Sequence, residues 1–426
     1  MAVGAFLEPL AVVTLLFGGA WLNRNRDYSF SKSRTEWAPF EGNSGKKSDE
    51  FGKINASQEI FGSSGGGWSQ ALSPWLQEPP ALRRRKIRIL GYEKYVTSPN
   101  TLVFKDRFLS RVLRKYPFLV EAWYWALIYW VYQLGRAFSA LTLVQGTVNV
   151  ARRHALEVIH VEQRLHIFWE VPIQKFFLQR PTLLLWINRV YSFIHIPGTI
   201  FFLVALYYVT TTRKRRDITG RAQKDNVAAG PGLYEARRRT MAVCNLIAFV
   251  VFTLWPCMPP RLLSDLEYDG DSAVEAKSFG FVDTVHSVDG ESSVWTTNKF
   301  CNQYAAMPSL HFGYSLLIGL TIATLPVAGL GLRPTSWTRV GIIAFGMSYP
   351  SLILTAIVAT ANHFILDAVA GAIVCGIAWH ANGILLNLCI IEDYFLWMVR
   401  IHKPVNYTDP GTAVELEFED ANLSSR

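Results

Sequence analysis

The sequence predicts an all-α, polytopic membrane protein: a bundle of about six spanning helices with a possible extra membrane segment at the N-terminus. Of its 426 residues, 50% are hydrophobic, and most of these lie in runs close to the roughly 20 residues that cross a bilayer. The net charge of +9 is clustered between these runs. Clustered Lys and Arg set membrane topology more often than they bind nucleic acid, so no nucleic-acid partner is expected. Only helices or closed barrels can cross lipid, and runs of this length favour helices.

The first 115 residues are predicted to hold little folded structure apart from one apolar segment. Residues 1–21 are apolar but lack the basic start of a cleaved signal peptide, so we expect an anchor that spans the membrane or lies in its interface. Residues 22–115 are rich in Gly, Ser and charge, including the stretch 62–67, and such a composition cannot bury a core. We therefore predict a largely disordered, basic cytoplasmic region there.

Residues 116–390 form the predicted membrane domain, and the apolar runs give its spans. The expected spans are 118–143, 183–211, 240–257, 308–329, 340–360 and 364–389. Between the first two, residues 147–179 alternate charged and apolar side chains at helical spacing, which is typical of a helix pair lying at the interface. We expect Glu162 and Glu170 of this pair to face water, with a catalytic carboxylate as the alternative.

The distribution of basic residues predicts the side of the membrane that each loop occupies. The basic positions next to the spans are Arg213–Arg216, Arg237–Arg239, Arg333, Arg339, Arg400 and Lys403. The positive-inside rule places them and the tail, residues 391–426, in the cytoplasm. The long acidic stretch 259–307 and the turn at Asn362 then face the opposite side. Cys257 and Cys301 flank that stretch and either form a disulfide or remain unpaired thiols.

Two short polar motifs stand at the start of apolar helices on the predicted non-cytoplasmic side. Pro308 and Ser309 precede His311, and because Pro is favourable just inside a helix start, His311 is expected in the first turn. His363 and Asp367 open the last span four residues apart, which puts them on one face of a helix. The charge distribution and the position of the motifs thus agree on one site at one membrane face.

These side chains suit phosphoryl chemistry without a metal. His363 is the predicted nucleophile, Asp367 orients its ring, and His311 is the predicted acid for the leaving oxygen. Arg261, after the third span, is expected to hold the phosphate, and Ser309 to cap its helix or to bond the phosphate. Alternatives stay open: the histidines and the aspartate as zinc ligands, Arg261 as an anchor for a lipid headgroup, or histidines without chemistry.

The ordered motifs Pro-Pro-Arg at 259–261, Pro-Ser-Leu-His at 308–311 and His-x-x-x-Asp at 363–367 resemble those of the lipid phosphate phosphatase superfamily of type 2 phosphatidic acid phosphatases. The residues around the last two motifs, together with 280–284, are more similar to the inositolphosphotransferase branch, which includes fungal inositol phosphorylceramide synthase. The resemblance implies a six-helix bundle of the lipid phosphate phosphatase type and a phosphohistidine intermediate on His363.

The resemblance covers about residues 115–390, and it departs from the superfamily's phosphatases at several positions. Leu254 stands where they usually carry a Lys, seven residues before the motif arginine, and Leu310 replaces a Gly. Ala356 and Ile357 replace a Ser-Arg pair. Two phosphate-binding cations are therefore missing, which fits the transferase-like branch better than the plain phosphatases. It stays open which other groups hold the phosphate, and backbone N–H groups at the start of the fourth span are candidates.

The resemblance implies an integral membrane phosphotransferase that acts on lipid phosphoesters, with phospholipid and lipid-alcohol substrates and no cofactor. A lipid phosphate or prenyl diphosphate phosphatase is the first alternative, and a non-catalytic lipid-binding membrane protein is the second. We also expect a multi-pass protein whose active site lies on the lumenal or exoplasmic face, in an endomembrane such as the Golgi or the ER. The sequence leaves the oligomeric state open.

Overall fold

The computed structural model shows a mostly helical protein. It describes residues 2–26, 28–30, 82–89, 91–142, 146–213, 230–264, 272–284, 304–326, 333 and 335–404. The stretch 62–67, Cys301 and the tail beyond residue 404 lie outside these ranges, and so does much of the acidic stretch 259–307. The disulfide alternative and most of the predicted cytoplasmic tail therefore fall outside the described residues.

The elements follow one another along the chain with short connections in most places. The first half comprises α1 (Ala2–Leu22), β1 (Leu82–Ile89), β2 (Tyr92–Pro99), α2 (Phe108–Lys115), α3 (Phe118–Thr142), α4 (Gly146–Arg164), α5 (Glu170–Leu178), α6 (Pro181–Arg189) and α7 (His195–Tyr207). The second half comprises α8 (Pro231–Leu254), α9 (Ala273–Ser278), α10 (Leu310–Thr324), α11 (Ser336–Ala359), α12 (Ile365–Ala381) and α13 (Cys389–Met398). Short 3₁₀ turns lie at Thr101–Phe104, Pro260–Leu262 and Asn382–Leu388, and π-helical turns lie at Val190–Ile194 and Tyr208–Thr212.

Three helical segments in the described part of the chain are long and apolar enough to cross a membrane. They are His195–Thr212, Ser336–Ala359 and Ile365–Met398. Pro9–Leu22 and Leu310–Thr324 are shorter apolar helices. The prediction of a helical membrane protein is confirmed, whereas the number of six spans stays a prediction.

α4 and α5 correspond to the predicted amphipathic pair, but the expected exposure of their acidic residues is wrong. Glu162 and Glu170 are both fully buried, at 0% exposure. Each carboxylate accepts a hydrogen bond from a backbone N–H at the start of α12. The first N–H groups of a helix have no partner within the helix, so they draw acceptors from elsewhere. Glu162 and Glu170 therefore contact the end of another helix rather than water.

The basic cluster at 237–239 also lies differently from the prediction. α8 begins at Pro231, so the three arginines lie inside the helix and not in a loop before it. Pro suits the first position of a helix, where its missing N–H costs nothing. All three side chains are largely buried, and Arg238 donates a hydrogen bond to Glu121 of α3. This ion pair supplies the compensation that a buried guanidinium requires.

A β-hairpin and a helix lie at residues 82–115, so this part of the stretch 22–115 is folded. β1 and β2 pair in antiparallel register, and α2 follows them. Arg85 of β1 is buried at 3% exposure, and its Nη2 lies 2.7 Å from Oδ1 of Asp393 in α13. Arg85 Nε donates to Oδ2 of the same carboxylate at 2.7 Å, and Ser98 donates a third hydrogen bond of 2.5 Å to it. The carboxylate of Asp393, 308 positions away in the sequence, neutralises the buried Arg85 of this basic strand. No local sequence pattern predicts such a partner.

α10 packs between α11 and α12, and glycines allow the close approach on both sides. On the α11 side, a Cβ built on Gly319 would lie 2.6 Å from the carbonyl oxygen of Gly346. On the α12 side, a Cβ built on Gly371 would lie 2.3 Å from the carbonyl oxygen of Ser309. The Ser309 N–H in turn donates a hydrogen bond of 2.9 Å to the carbonyl oxygen of Asp367. The starts of α10 and α12, which carry both histidine motifs, are therefore held against each other by backbone contacts.

Substituting Gly371→Ala is expected to destabilise the protein by about 1–3 kcal/mol, because the added methyl group overlaps the Ser309 carbonyl and the helices must separate. Gly376→Ala on the same helix is the matched control, since a Cβ there meets nothing within 4 Å. The control is expected to be neutral or to stabilise by up to about 1 kcal/mol, through the better helix propensity of Ala. Thermal unfolding of both variants in detergent measures this, and equal unfolding temperatures would contradict the close approach.

Candidate active site

A cavity of about 660 Å³ brings the predicted motifs together. Side chains of α3, α7, α8 and α10 form much of its wall, and most of them are apolar or aromatic, among them Trp125, Ile128, Ile200, Leu203 and Phe252. The neighbouring polar residues on the wall are Arg261, Asn362, His363, His311 and His195. A mostly apolar cavity with a few convergent polar groups is the usual form of a ligand site.

His363 lies in the turn between α11 and α12, with its ring on the cavity wall. Its Nδ1 lies 2.8 Å from the carbonyl oxygen of Ala306 and 3.5 Å from Oδ2 of Asp367. A carbonyl oxygen can only accept, so the proton of a neutral His363 ring resides on Nδ1. Nε2 then keeps its lone pair, which is the requirement for a nucleophile or a base.

Asp367 lies behind His363 and does not line the cavity. It is fully buried, and its Oδ2 accepts a hydrogen bond of 2.9 Å from the N–H of Phe364, the residue that precedes α12. Its other oxygen, Oδ1, is buried without a hydrogen-bond partner among the described residues. The carboxylate therefore serves the start of its own helix and faces the His363 ring, where it stabilises positive charge on the imidazole.

Ser309 is fully buried, and its hydroxyl oxygen accepts a hydrogen bond of 3.4 Å from the N–H of Phe312. This is the bond of an N-cap, which agrees with the first of the two roles predicted for Ser309. The peptide bond between Met307 and Pro308, just before the cap, is cis. The cap begins α10 at Leu310, so His311 occupies the first turn, as the sequence predicts.

His311 stands in a row of aromatic rings. Its ring centroid lies 5.7 Å from that of His363, 4.9 Å from that of His195 and 4.6 Å from that of Tyr191. The two predicted histidines are thus neighbours on the same cavity, and a third histidine extends the row.

Arg261 follows α8 in a short 3₁₀ turn, and two side chains hold its guanidinium. Its Nε donates a hydrogen bond of 2.9 Å to Oδ1 of Asn362, and its Nη1 donates one of 2.9 Å to Oδ2 of Asp283. The backbone N–H of Arg261 donates to the carbonyl oxygen of Ala361. The arginine is therefore tied to the turn that carries His363, and its charge lies on the cavity wall beside a carboxylate.

Sequence reasoning missed His195 and Tyr191. His195 is buried at 4% exposure, and its Nδ1 lies 2.9 Å from the hydroxyl oxygen of Tyr349 in α11. The available signals are an ionisable residue inside an apolar run and the π-helical turn Val190–Ile194 directly before it. Both features are typical of functional positions in helices, but the π turn is not visible in the sequence.

The arrangement bears on the zinc alternative. Within the described ranges, no group of three His, Cys, Asp or Glu side chains is placed to hold a metal ion. The two histidines are adjacent, but Asp367 lies behind His363 rather than on the cavity wall. The described side chains thus lack the three converging ligands of a catalytic zinc site.

Comparison with known proteins gives one match. A family model described as the PAP2 superfamily matches residues 156–220 and 227–381, which together make up just over half of the chain. The second segment contains Arg261 and both histidine motifs. No curated protein and no solved structure matches the chain.

The position of Arg261 predicts that the cavity binds a small anion. Arg261→Gln is expected to raise the Kd of inorganic phosphate at least about tenfold, because a bidentate, charge-assisted contact is lost. Arg153→Gln is the control, since that side chain is 67% exposed on α4. Isothermal titration of the detergent-solubilised protein with phosphate measures both variants. An unchanged Kd in Arg261→Gln would show that this guanidinium does not bind the anion.

Proposed function

Because the chain belongs to the PAP2 superfamily, whose members are lipid phosphatases or phosphotransferases, we propose that it is an integral membrane phosphotransferase acting on lipid phosphoesters. The observation that carries the proposal is the meeting of Arg261, His311 and His363 on the wall of one largely apolar cavity. The apolar wall suits the hydrocarbon part of a lipid, and the three polar side chains suit its phosphate.

The first step transfers the phosphorus group to the protein. Nε2 of His363 attacks phosphorus, a P–N bond forms, and the P–O bond to the leaving alcohol breaks. His311, in its protonated form, gives its proton to the leaving oxygen, while Arg261 balances the charge on the remaining phosphate oxygens. The imidazole becomes cationic in this step, and the carboxylate of Asp367, 3.5 Å from Nδ1, stabilises that charge.

The second step resolves the phosphohistidine. His311, now neutral, accepts the proton of an acceptor hydroxyl, the acceptor oxygen attacks phosphorus, and the P–N bond breaks. A lipid alcohol in this position gives transfer, and water gives hydrolysis. The same residues thus serve both reactions, and the acceptor decides between them.

Transfer of a phosphoalcohol group fits the charge of the site better than hydrolysis of a phosphate monoester. A phosphodiester carries one negative charge, whereas a monoester carries about 1.5 to 2 at neutral pH. Of the arginines that line the cavity in the described structure, Arg238 pairs with the buried Glu121, whereas Arg261 pairs with the more exposed Asp283 and bonds Asn362, next to His363. Ala356 and Ile357, where phosphatases of the superfamily carry Ser and Arg, are buried among apolar side chains. Inositolphosphotransferase activity is therefore the form of the proposal that we favour.

The proposal includes the side of the membrane. The basic residues that flank the helices support a cytoplasmic location for the hairpin and for the end of α13, and hence a lumenal or exoplasmic site. An endomembrane of the secretory pathway, the Golgi or the ER, is the proposed location.

Substituting His363→Ala is expected to lower turnover of a phospholipid labelled in its headgroup phosphate at least about 1,000-fold, because the nucleophile is lost. Labelled protein trapped during turnover is expected in the wild type and not in this variant. His380→Ala is the matched control, since His380 lies exposed on α12, and its turnover is expected to stay within about twofold of wild type.

The acceptor is identified in the same assay. Adding ceramide or another lipid alcohol is expected to yield a labelled lipid product at the expense of the water-soluble one. A water-soluble product that persists at every acceptor concentration would favour the phosphatase alternative. Unchanged turnover in His363→Ala would overturn the assignment of the nucleophile.

A further inference from the structure

The start of α12 receives three carboxylates from three different helices. The N–H of Phe364 donates to Oδ2 of Asp367 at 2.9 Å, as described above. The N–H of Ile365 donates to Oε1 of Glu170 in α5 at 2.8 Å, and the N–H of Leu366 donates to Oε1 of Glu162 in α4 at 2.7 Å. A helix N-terminus attracts anions, but three full negative charges in a buried site exceed what its dipole and N–H groups compensate.

The second carboxyl oxygens of Glu162 and Glu170 indicate how the negative charge of the three carboxylates is reduced. Oε2 of Glu162 and Oε2 of Glu170 are both buried, and neither has an N–H or O–H donor in the described part of the chain. Their Oε1 atoms accept from consecutive N–H groups, those of Ile365 and Leu366, so the two carboxyl groups lie side by side, within reach of a hydrogen bond between them. Two ionised carboxylates cannot form such a bond, because both are acceptors only. One proton held between the two Oε2 atoms satisfies both of them and removes one charge.

The environment assigns this proton to Glu162. Burial raises the pKa of both carboxyl groups, and the hydrogen bond between them raises the pKa of Glu162 further, to about 9, while it opposes the rise for Glu170. Near neutral pH the pair is therefore a carboxylic acid on α4 that donates to a carboxylate on α5. In this form each glutamate uses Oε1 for the backbone of α12 and Oε2 for the other glutamate.

We propose that Glu162 and Glu170, joined by one shared proton, are positioning residues that fix the start of α12 and thereby hold the ring of His363 in place for the reaction. Neither residue lines the cavity, so they act through His363 and not on the substrate. His363 directly precedes Phe364, and a displacement of about 1 Å in a reacting group can cost 100-fold in rate. This role rests on the proposed function, because it presupposes that His363 reacts.

The first test is a set of glutamine variants. Glu162→Gln keeps an oxygen for the N–H of Leu366 and supplies an N–H for Glu170, so it imitates the protonated acid, and kcat is expected within about threefold of wild type at pH 7. Glu170→Gln is expected to behave similarly, with its amide donating to an ionised Glu162. The double variant Glu162→Gln/Glu170→Gln brings two donors face to face, so kcat is expected to fall at least about tenfold below the product of the single effects, with KM little changed. A kcat of the double variant equal to the product of the single effects would contradict a proton shared between the two glutamates.

The second test is the pH dependence of kcat. In the wild type, kcat is expected to fall as pH rises through about 9, because Glu162 loses its proton and two carboxylates repel each other at the start of α12. Besides Glu170, the titratable groups that interact with Glu162 are Asp367 and Cys257. Burial raises the pKa of the Cys257 thiol, so it stays neutral in this range. Glu162→Gln is expected to keep its activity above pH 9, and an unchanged alkaline limb in this variant would contradict the proposal.

The third test does not require turnover, and it separates failure of this inference from failure of the proposed function. Glu162 has a raised pKa in the folded protein, so its contribution to stability is complete below pH 4.5 and declines as pH rises to about 9. Glu162→Gln carries no such titration, and its apparent Tm relative to wild type is expected to rise by at least about 3 °C between pH 5 and pH 9. Glu157→Gln, 55% exposed on the same helix, is expected to track the wild type. A Tm difference between Glu162→Gln and wild type that stays constant from pH 5 to pH 9 would contradict the shared proton. This holds even if the protein shows no detectable turnover.

Discussion

The geometry of the candidate site depends on the contact between the starts of α10 and α12. A side chain at Gly371 would collide with the Ser309 carbonyl, and the Ser309 N–H is bonded to the backbone of Asp367. His311 lies two residues from Ser309 and His363 lies four residues from Asp367, so backbone packing at this contact controls the distance between their rings. Backbone contacts of this kind tolerate little displacement, because interiors are close-packed. The two histidine motifs are thus one structural unit, although His311 and His363 are 52 positions apart in the sequence.

The carboxylates at the start of α12 also decide where a phosphate can bind. A free helix N-terminus is a ready anion site, but the N–H groups of Phe364, Ile365 and Leu366 are already occupied by the protein's own acids. An incoming phosphate therefore finds Arg261 rather than the α12 backbone. In the proposed reaction, the carboxylate of Asp367, 3.5 Å from Nδ1 of His363, favours the cationic ring that forms when Nε2 attacks phosphorus. Helix capping and charge stabilisation are thus two effects of one arrangement.

Sequence patterns predicted the parts of the site that local rules control. Pro308 and Ser309 specify a helix start, so the place of His311 in a first turn was accessible from the sequence. The spacing of His363 and Asp367 predicted one helical face, but α12 begins at Ile365, so His363 lies in the turn before the helix and only the closeness of the two side chains was predicted. The closest acceptor for Nδ1 is the Ala306 carbonyl, which no motif reveals. Helical periodicity located α4 and α5 but assigned Glu162 to water, because periodicity gives the polar face of a helix and not its partner.

The pairing of Arg261 with Asp283 explains how the site can exist without substrate and still accept it. An unpaired guanidinium on an apolar cavity wall would be costly, and Asp283 supplies a counter-charge 2.9 Å from Nη1. The Asp283 side chain is 27% exposed, so it loses little when water takes the place of the arginine. Asn362 holds Nε from the other side, so the guanidinium keeps its orientation while its charged partner is exchanged for a phosphate. Binding of the substrate is then an exchange of one anion for another, and the net charge near the histidines changes little for a phosphodiester. Under the proposed function, a doubly charged monoester would leave an uncompensated charge beside an apolar wall, which is the electrostatic reason for favouring a phosphodiester substrate.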